Sequence, residues 1–349
     1  MSTSKSEKGE ESFAEGESNN ESDDDSGNDG GHEANNNNNN CNNGSAEACT
    51  KEETPVARNG NNSESPPQQE EKPATQSSIL ALSWCWGMVD LLRLKNFTEL
   101  TEVNVNNCVD LATLMGLKYC KKLKRLNLHK CTKLQDLSEA GSCWRLETLI
   151  VCECERLENL RGLGGHQRLS CVRISRCGML AEVNLDGTVK LKKLSIDECW
   201  ALKEVYVTRC KTLESVALVD CSRLKSLCGL VHLVSLKSLN LEGCISIAEI
   251  GTLNTNNKLE RLNLGNCFML TDMEFLNHCM KLKRVVALGV PIDEVVKSNL
   301  RNRGVRVIDE NDVDESYKCY QRQYLERASV AEKSLQWEEN VKEILSYPR

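Results

Sequence analysis

A nine-residue phrase, Leu-x-x-Leu-x-Leu-x-x-Cys with Val or Ile sometimes in the inner leucine places, limits what this chain can fold into. It begins at Leu100, Leu123, Leu146, Leu169, Leu191, Leu213, Leu236 and Leu259, and successive starts lie 22 or 23 residues apart. Leu123–Cys131 shows it in full. In an extended strand, side chains alternate between faces, so positions four and six of the phrase point the same way. One such strand cannot bury its aliphatic residues alone. Stacking coil on coil buries them, and parallel pairing satisfies the backbone groups.

A period in the twenties built on this phrase is the signature of a leucine-rich repeat. The expected fold is an α/β-type solenoid with short parallel strands on the concave face and a mostly irregular or 3-10 convex side. Spacings of three, as in Leu157, Leu160 and Leu163, suit 3-10 turns. Between about 169 and 221 the strand phrase recurs at half the period, in Leu180–Leu185 and Leu202–Cys210, which predicts strands on the convex side too. Ser77, Leu80, Leu82 and Cys85 form a degenerate first coil, an N-terminal cap into which Trp84 and Trp86 are expected to pack. At the far end Leu282 starts a coil without its Cys. Asp293–Asn302 then reads as a helix and Gly304–Ile308 as a last strand. No proline falls between Pro73 and Pro291, as a continuous ladder requires.

The net charge of −7 conceals two opposite parts. Residues 1–75 carry 17 acidic and 5 basic residues, and the remainder is +5. That first segment is rich in Ser, Glu, Asp and Asn, and has too little apolar surface to offset ordering entropy. Three parts are expected: a disordered acidic tail over 1–75, the capped solenoid over 76–308, and an acidic linker with a C-terminal helix over 309–349. Nine of the 19 cysteines, from Cys85 to Cys267, share one repeat position, and Cys120, Cys143 and Cys279 share a second. Register explains them better than pairing does. Reduced core thiols, with no signal peptide or membrane span, place the chain in the cytosol or nucleus.

Function should lie on the concave face, where positions three, five and seven point outward. The candidate partner-binding residues are Glu102, Asn104 and Asn106, then Arg125, Asn127 and His129, and in the middle coils Arg173, Lys193 and Asp197. Asn240, Glu242, Arg261, Asn263 and Arg284 complete them toward the C-terminal end. Polar and mixed in sign, this surface suits a protein partner, whereas a phosphate backbone would favour a continuous basic stripe. Asn106, His129 and Cys152 occupy position seven of consecutive coils, the residue set of a thiol nucleophile. No Gly-rich turn supplies an oxyanion hole, and an open face excludes little water. A metal set of His129, Cys152, Cys171 and Asp197 would come from a flat ladder rather than paired C-x-x-C turns. Phosphate loops, G-x-S-x-G and H-E-x-x-H are absent. The expectation is a non-enzymatic recognition scaffold without cofactor, metal or small-molecule substrate. A ubiquitin-ligase substrate adaptor and a nucleic-acid-associated protein are the alternatives.

The 23-residue units Leu123–Arg145 and Leu236–Lys258 resemble the leucine-rich repeat proteins of trypanosomatids. Nearest in pattern are the expression-site-associated proteins described as regulators of adenylate cyclase. The resemblance covers about residues 77–308 and implies regulation of a signalling enzyme by protein contact. That family's archetype also carries an N-terminal zinc-binding RING segment. Here only Cys41 and Cys49 precede the repeats, without a paired C-x-x-C, so the resemblance does not extend to ubiquitin-ligase activity.

Overall fold

The computed structural model describes residues 78–250, 258–309 and 311–312. The acidic segment 1–75, Ser77 and the expected helix from Tyr317 to about Ser346 lie outside the described residues. Within them the chain is a leucine-rich repeat solenoid. Eleven strands, one per coil from Ile79–Ser83 to Arg306–Ile308, pair in parallel in chain order. Register is in step with the repeat: Val103 faces Leu126, Leu126 faces Leu149, and Leu149 faces Val172. Positions one, four and six of the phrase are buried in every full repeat. Each buried aliphatic side chain contributes about 1.5–3 kcal/mol relative to exposure, so the repeated phrase is itself the core.

The cysteines stand where expected. All described cysteines are free thiols, and those at position nine are buried from Cys108 to Cys267. Several close the core by donating to the position-six carbonyl of the preceding coil. Cys244 Sγ lies 3.2 Å from Leu218 O, and Cys267 Sγ 3.1 Å from Leu241 O. Burial pushes the thiols of Cys143 and Cys267 up to about 12, so they stay protonated at any physiological pH.

Behind the main ladder, strands Glu182–Asn184, Glu204–Tyr206 and Ser226–Cys228 make a second parallel sheet. The first two are the half-period strands read from the sequence; the third carries the sheet past 221. Where the phrase occurs once per coil, 3-10 turns such as Leu117–Tyr119 and Ser138–Ser142 replace them. Among these coils His166 takes the repeat place of Cys143. Its Nε2 donates to Cys143 O at 3.0 Å, while Nδ1 accepts from Leu169 N, and burial lowers its pKa.

Position eight, between the strand and the cysteine, is left-handed in each of the first ten coils. Trp84, Asn107, Lys130, Glu153, Arg176, Glu198 and Asp220 have φ between 53° and 56°, and Gly243, Asn266 and Gly289 continue the row. That conformation costs about 1–2 kcal/mol for a residue with a Cβ. The ladder offsets it, since each N–H meets the position-seven carbonyl of the next coil, as Lys130 N does with Cys152 O at 2.9 Å. This turn corrects the expectation for the cap. At position eight Trp84 is thrown outward, so Trp84 and Trp86 are 59% and 72% exposed, and their ring centroids stand 6.4 Å apart. The first coil is otherwise in register, with Leu80 opposite Val103 and Leu82 opposite Val105.

At the other end Asp293 caps the helix Glu294–Asn302, accepting from Val295 N at 3.0 Å. Buried Asp309 accepts from Lys297 and Arg301, and Arg303 reaches back to Leu276 O and Cys279 O. These contacts fasten the helix onto the last coils.

Candidate functional site

The outward face of the ladder carries every candidate residue named above, each at its expected register place. The strand Arg125–His129 shows the arrangement: Leu126 and Leu128 are buried, Arg125 is exposed, and Asn127 and His129 are half-buried. Arg173, Lys193, Arg261 and Arg284 are also exposed, whereas Asn104, Asp197, Asn240 and Glu242 lie half-buried between neighbouring coils.

Lateral hydrogen bonds tie this face together. Asn127 Nδ2 donates to Asn104 Oδ1, and Asn104 Nδ2 to Glu102 Oε1 at 2.9 Å. Arg125 lies 3.7 Å from the same Glu102 carboxylate. Toward the C-terminal end Asn240 Oδ1 accepts from Glu242 N, and Asn263 Nδ2 donates to Glu242 Oε2 at 3.0 Å. Asparagine serves here as a two-way connector, with one acceptor and two donors in one side chain. Asn127 Oδ1 has no hydrogen-bond partner among the described residues.

Two carboxylates on the face are harder to ionise than ordinary ones. Burial raises Asp197, with Ser195 Oγ partly offsetting it from 3.1 Å. Burial raises Glu242 as well, and Asp220's charge adds to the effect. A carboxyl whose pKa is higher folded than unfolded weakens the fold once pH exceeds the ordinary carboxylate range. Below that range both states are protonated and the effect vanishes. Glu242→Gln, which keeps the acceptor for Asn263, should therefore raise Tm by a few degrees at pH 8. The gain should shrink to nothing near pH 4, as thermal denaturation at the two pH values would show.

Position seven brings Asn106, His129 and Cys152 side by side, as the spacing predicts. Cys171 sits at position three and Asp197 two coils beyond Cys152, so neither joins them. What the strand pattern missed is position eight. Strict alternation sends it inward, but the left-handed turn places Glu153 beside His129, with Nε2 and Oε1 3.5 Å apart. Lys130, Glu153, Arg176 and Glu198 then form a charge-alternating row, with Arg176 bidentate to Glu198. The sequence signal for this row is the run of polar residues before the position-nine cysteines from Cys108 to Cys221.

No family model and no curated protein matches the chain. Among solved structures it is similar to the leucine-rich repeat domain of the type III effector XopL. That pair is 19% identical, covers 58% of this chain and 79% of the other, and has a TM-score of 0.38. The functional domain of InlJ from Listeria monocytogenes, which includes a cysteine ladder, is 19% identical over 56% of each chain, with a TM-score of 0.29. A leucine-rich repeat protein of Leptospira interrogans is 13% identical over 66% of this chain and 89% of its own, with a TM-score of 0.23. The strand register and buried phrase of this chain itself define its fold.

Proposed function

We propose that the chain is a non-catalytic recognition scaffold whose ladder face binds a protein partner. The observation that carries this reading is the face itself: eleven parallel strands present half-buried Asn, Ser and carboxylate groups, with exposed arginines at intervals. Side chains already held by their neighbours lose little entropy on binding. Arginines are frequent anchors at such interfaces. Mixed sign along the face favours a protein over a polyanion. The resemblance to trypanosomatid repeat proteins makes a signalling enzyme such as adenylate cyclase the partner class to look for, within the cytosol or nucleus. No helix among the described residues is long and apolar enough to cross a membrane.

The test is crosslinking mass spectrometry on pull-downs of wild type and the double variant Arg125→Glu plus Arg173→Glu. Both arginines are exposed, so the variant should fold like wild type by circular dichroism. Recovery of the partner should fall by about tenfold or more. An unchanged partner set would exclude the ladder face. Capture of a cullin scaffold would favour the adaptor reading, and binding that falls steeply with salt would favour nucleic acid.

A further inference from the structure

His129 is held in one orientation by its neighbours. Asn106 Oδ1 accepts from Asn107 Nδ2 at 2.9 Å and lies 2.6 Å from His129 Nδ1. An amide oxygen only accepts, so Nδ1 carries the proton and donates. The lone pair of the neutral ring is then on Nε2, which faces Glu153 Oε1 at 3.5 Å. Cys152 Sγ lies 3.9 Å from that same oxygen. Nitrogen, sulfur and oxygen all lie within 4.8 Å of one another, the one group of this kind among the described residues.

We propose that His129 Nε2, Cys152 Sγ and Glu153 Oε1 bind a divalent cation of the zinc class, with a fourth position open to the ladder face. Zinc bonds of about 2.0–2.3 Å in a tetrahedron place ligand atoms about 3.3–3.8 Å apart. The 3.5 and 3.9 Å separations to Oε1 come within a few tenths of an ångström of that range, and Nε2 and Sγ, within 4.8 Å of each other, draw in by up to about 1 Å on binding. A thiolate, an imidazole and a carboxylate select zinc over magnesium or calcium, which favour oxygen donors throughout. On binding, the Cys152 thiol releases its proton to solvent, and two anionic ligands neutralise the ion.

The surroundings fit the assignment. Asn106 orients the imidazole through the nitrogen that does not bind metal, as hydrogen-bond acceptors behind ligating histidines commonly do. Lys130 Nζ, 3.4 Å from Glu153 Oε2, engages the other carboxylate oxygen and turns Oε1 inward. Arg176 Nη1 stands 3.8 Å from Oε1 and must yield. It is already held by Glu198 through Nε and Nη2 at 3.1 and 3.2 Å, so yielding costs it little. His129 and Glu153 are partly accessible, which leaves the ion a path to the site.

The probe is Co2+ alone, added to the full-length reduced protein and followed by absorption. A thiolate-to-cobalt band in the near ultraviolet, with strong tetrahedral bands in the visible, should saturate at one equivalent and be reversed by Zn2+. Cys152→Ser should abolish the thiolate band, and His129→Ala or Glu153→Gln should weaken binding tenfold or more. Asn106→Ala should weaken it by about 10–100-fold. Cys171→Ser, which removes a half-exposed thiol on the same face, should change nothing. Circular dichroism verifies that each variant folds. Absence of a thiolate band at one equivalent, or its persistence in Cys152→Ser, would overturn the assignment. Either result leaves the partner reading intact, because the pull-down variants touch none of these residues.

Discussion

Gly116→Ala is expected to destabilise the solenoid severely, while Gly87→Ala, the same change at another positive-φ glycine, is expected to be mild. Gly116 has φ of 116° and leads into the 3-10 turn Leu117–Tyr119. A Cβ there would stand 2.1 Å from Leu91 O and 2.7 Å from Leu92 N. These are backbone atoms of the preceding coil, and the hydrogen bond from Leu91 N to Met115 O holds the two coils together at this point. Neither side can retreat without breaking the contact between coils. Gly162 and Gly229 occupy the same repeat position and face backbone in the same way. Gly87 has φ of 73° with nothing within 4 Å of a built Cβ, so it bears only the left-handed penalty of about 1–2 kcal/mol. Overlap with fixed backbone adds to that for Gly116, for a total loss of about 4 kcal/mol or more. Urea denaturation of the two variants beside wild type would measure the difference. Equal midpoints would mean that the coils can part at Leu91 without cost.

The contrast shows which parts of the structure a sequence displays. Buried positions were legible because each coil repeats the same physical problem: Leu126, Leu149 and Val172 must all face inward, and the period marks them. The second sheet was legible for a similar reason, since Leu180–Leu185 and Leu202–Cys210 repeat the strand phrase at half the period. The close approach at Gly116 was not, because glycine there looks like any turn glycine until the neighbouring backbone is in place. Trp84 was misplaced for want of the left-handed turn, and the same turn hid Glu153. Alternation is a rule for strands and fails at the residue where the strand ends. The outward placement of positions three and five was therefore legible, Cys152 at position seven is nonetheless buried, and the outer row at position eight was missed.

The cysteine row leads to the second large effect. Cys221→Asp should abolish folding, Cys221→Ala should cost about 1 kcal/mol, and Cys221→Asn should fall between them. Cys221 is fully buried, with its thiol 3.6 Å from both Ile196 O and Val219 O, and burial raises its pKa well above the ordinary thiol value. A neutral S–H suits two carbonyl neighbours, since it donates weakly and loses little on leaving water. Alanine gives up that weak donor and a small volume. Asparagine brings two donors to the same carbonyls, and other leucine-rich repeats use it at this position. Aspartate brings only acceptors when ionised, facing carbonyl oxygens, and a buried unpaired charge costs several kcal/mol. Because each coil is stabilised by its neighbours, that loss in a central coil removes support from both sides at once. Far-ultraviolet circular dichroism and urea midpoints of the three variants would rank them. If aspartate proved as mild as alanine, Cys221 would have to reach water, and the row could not be a core device.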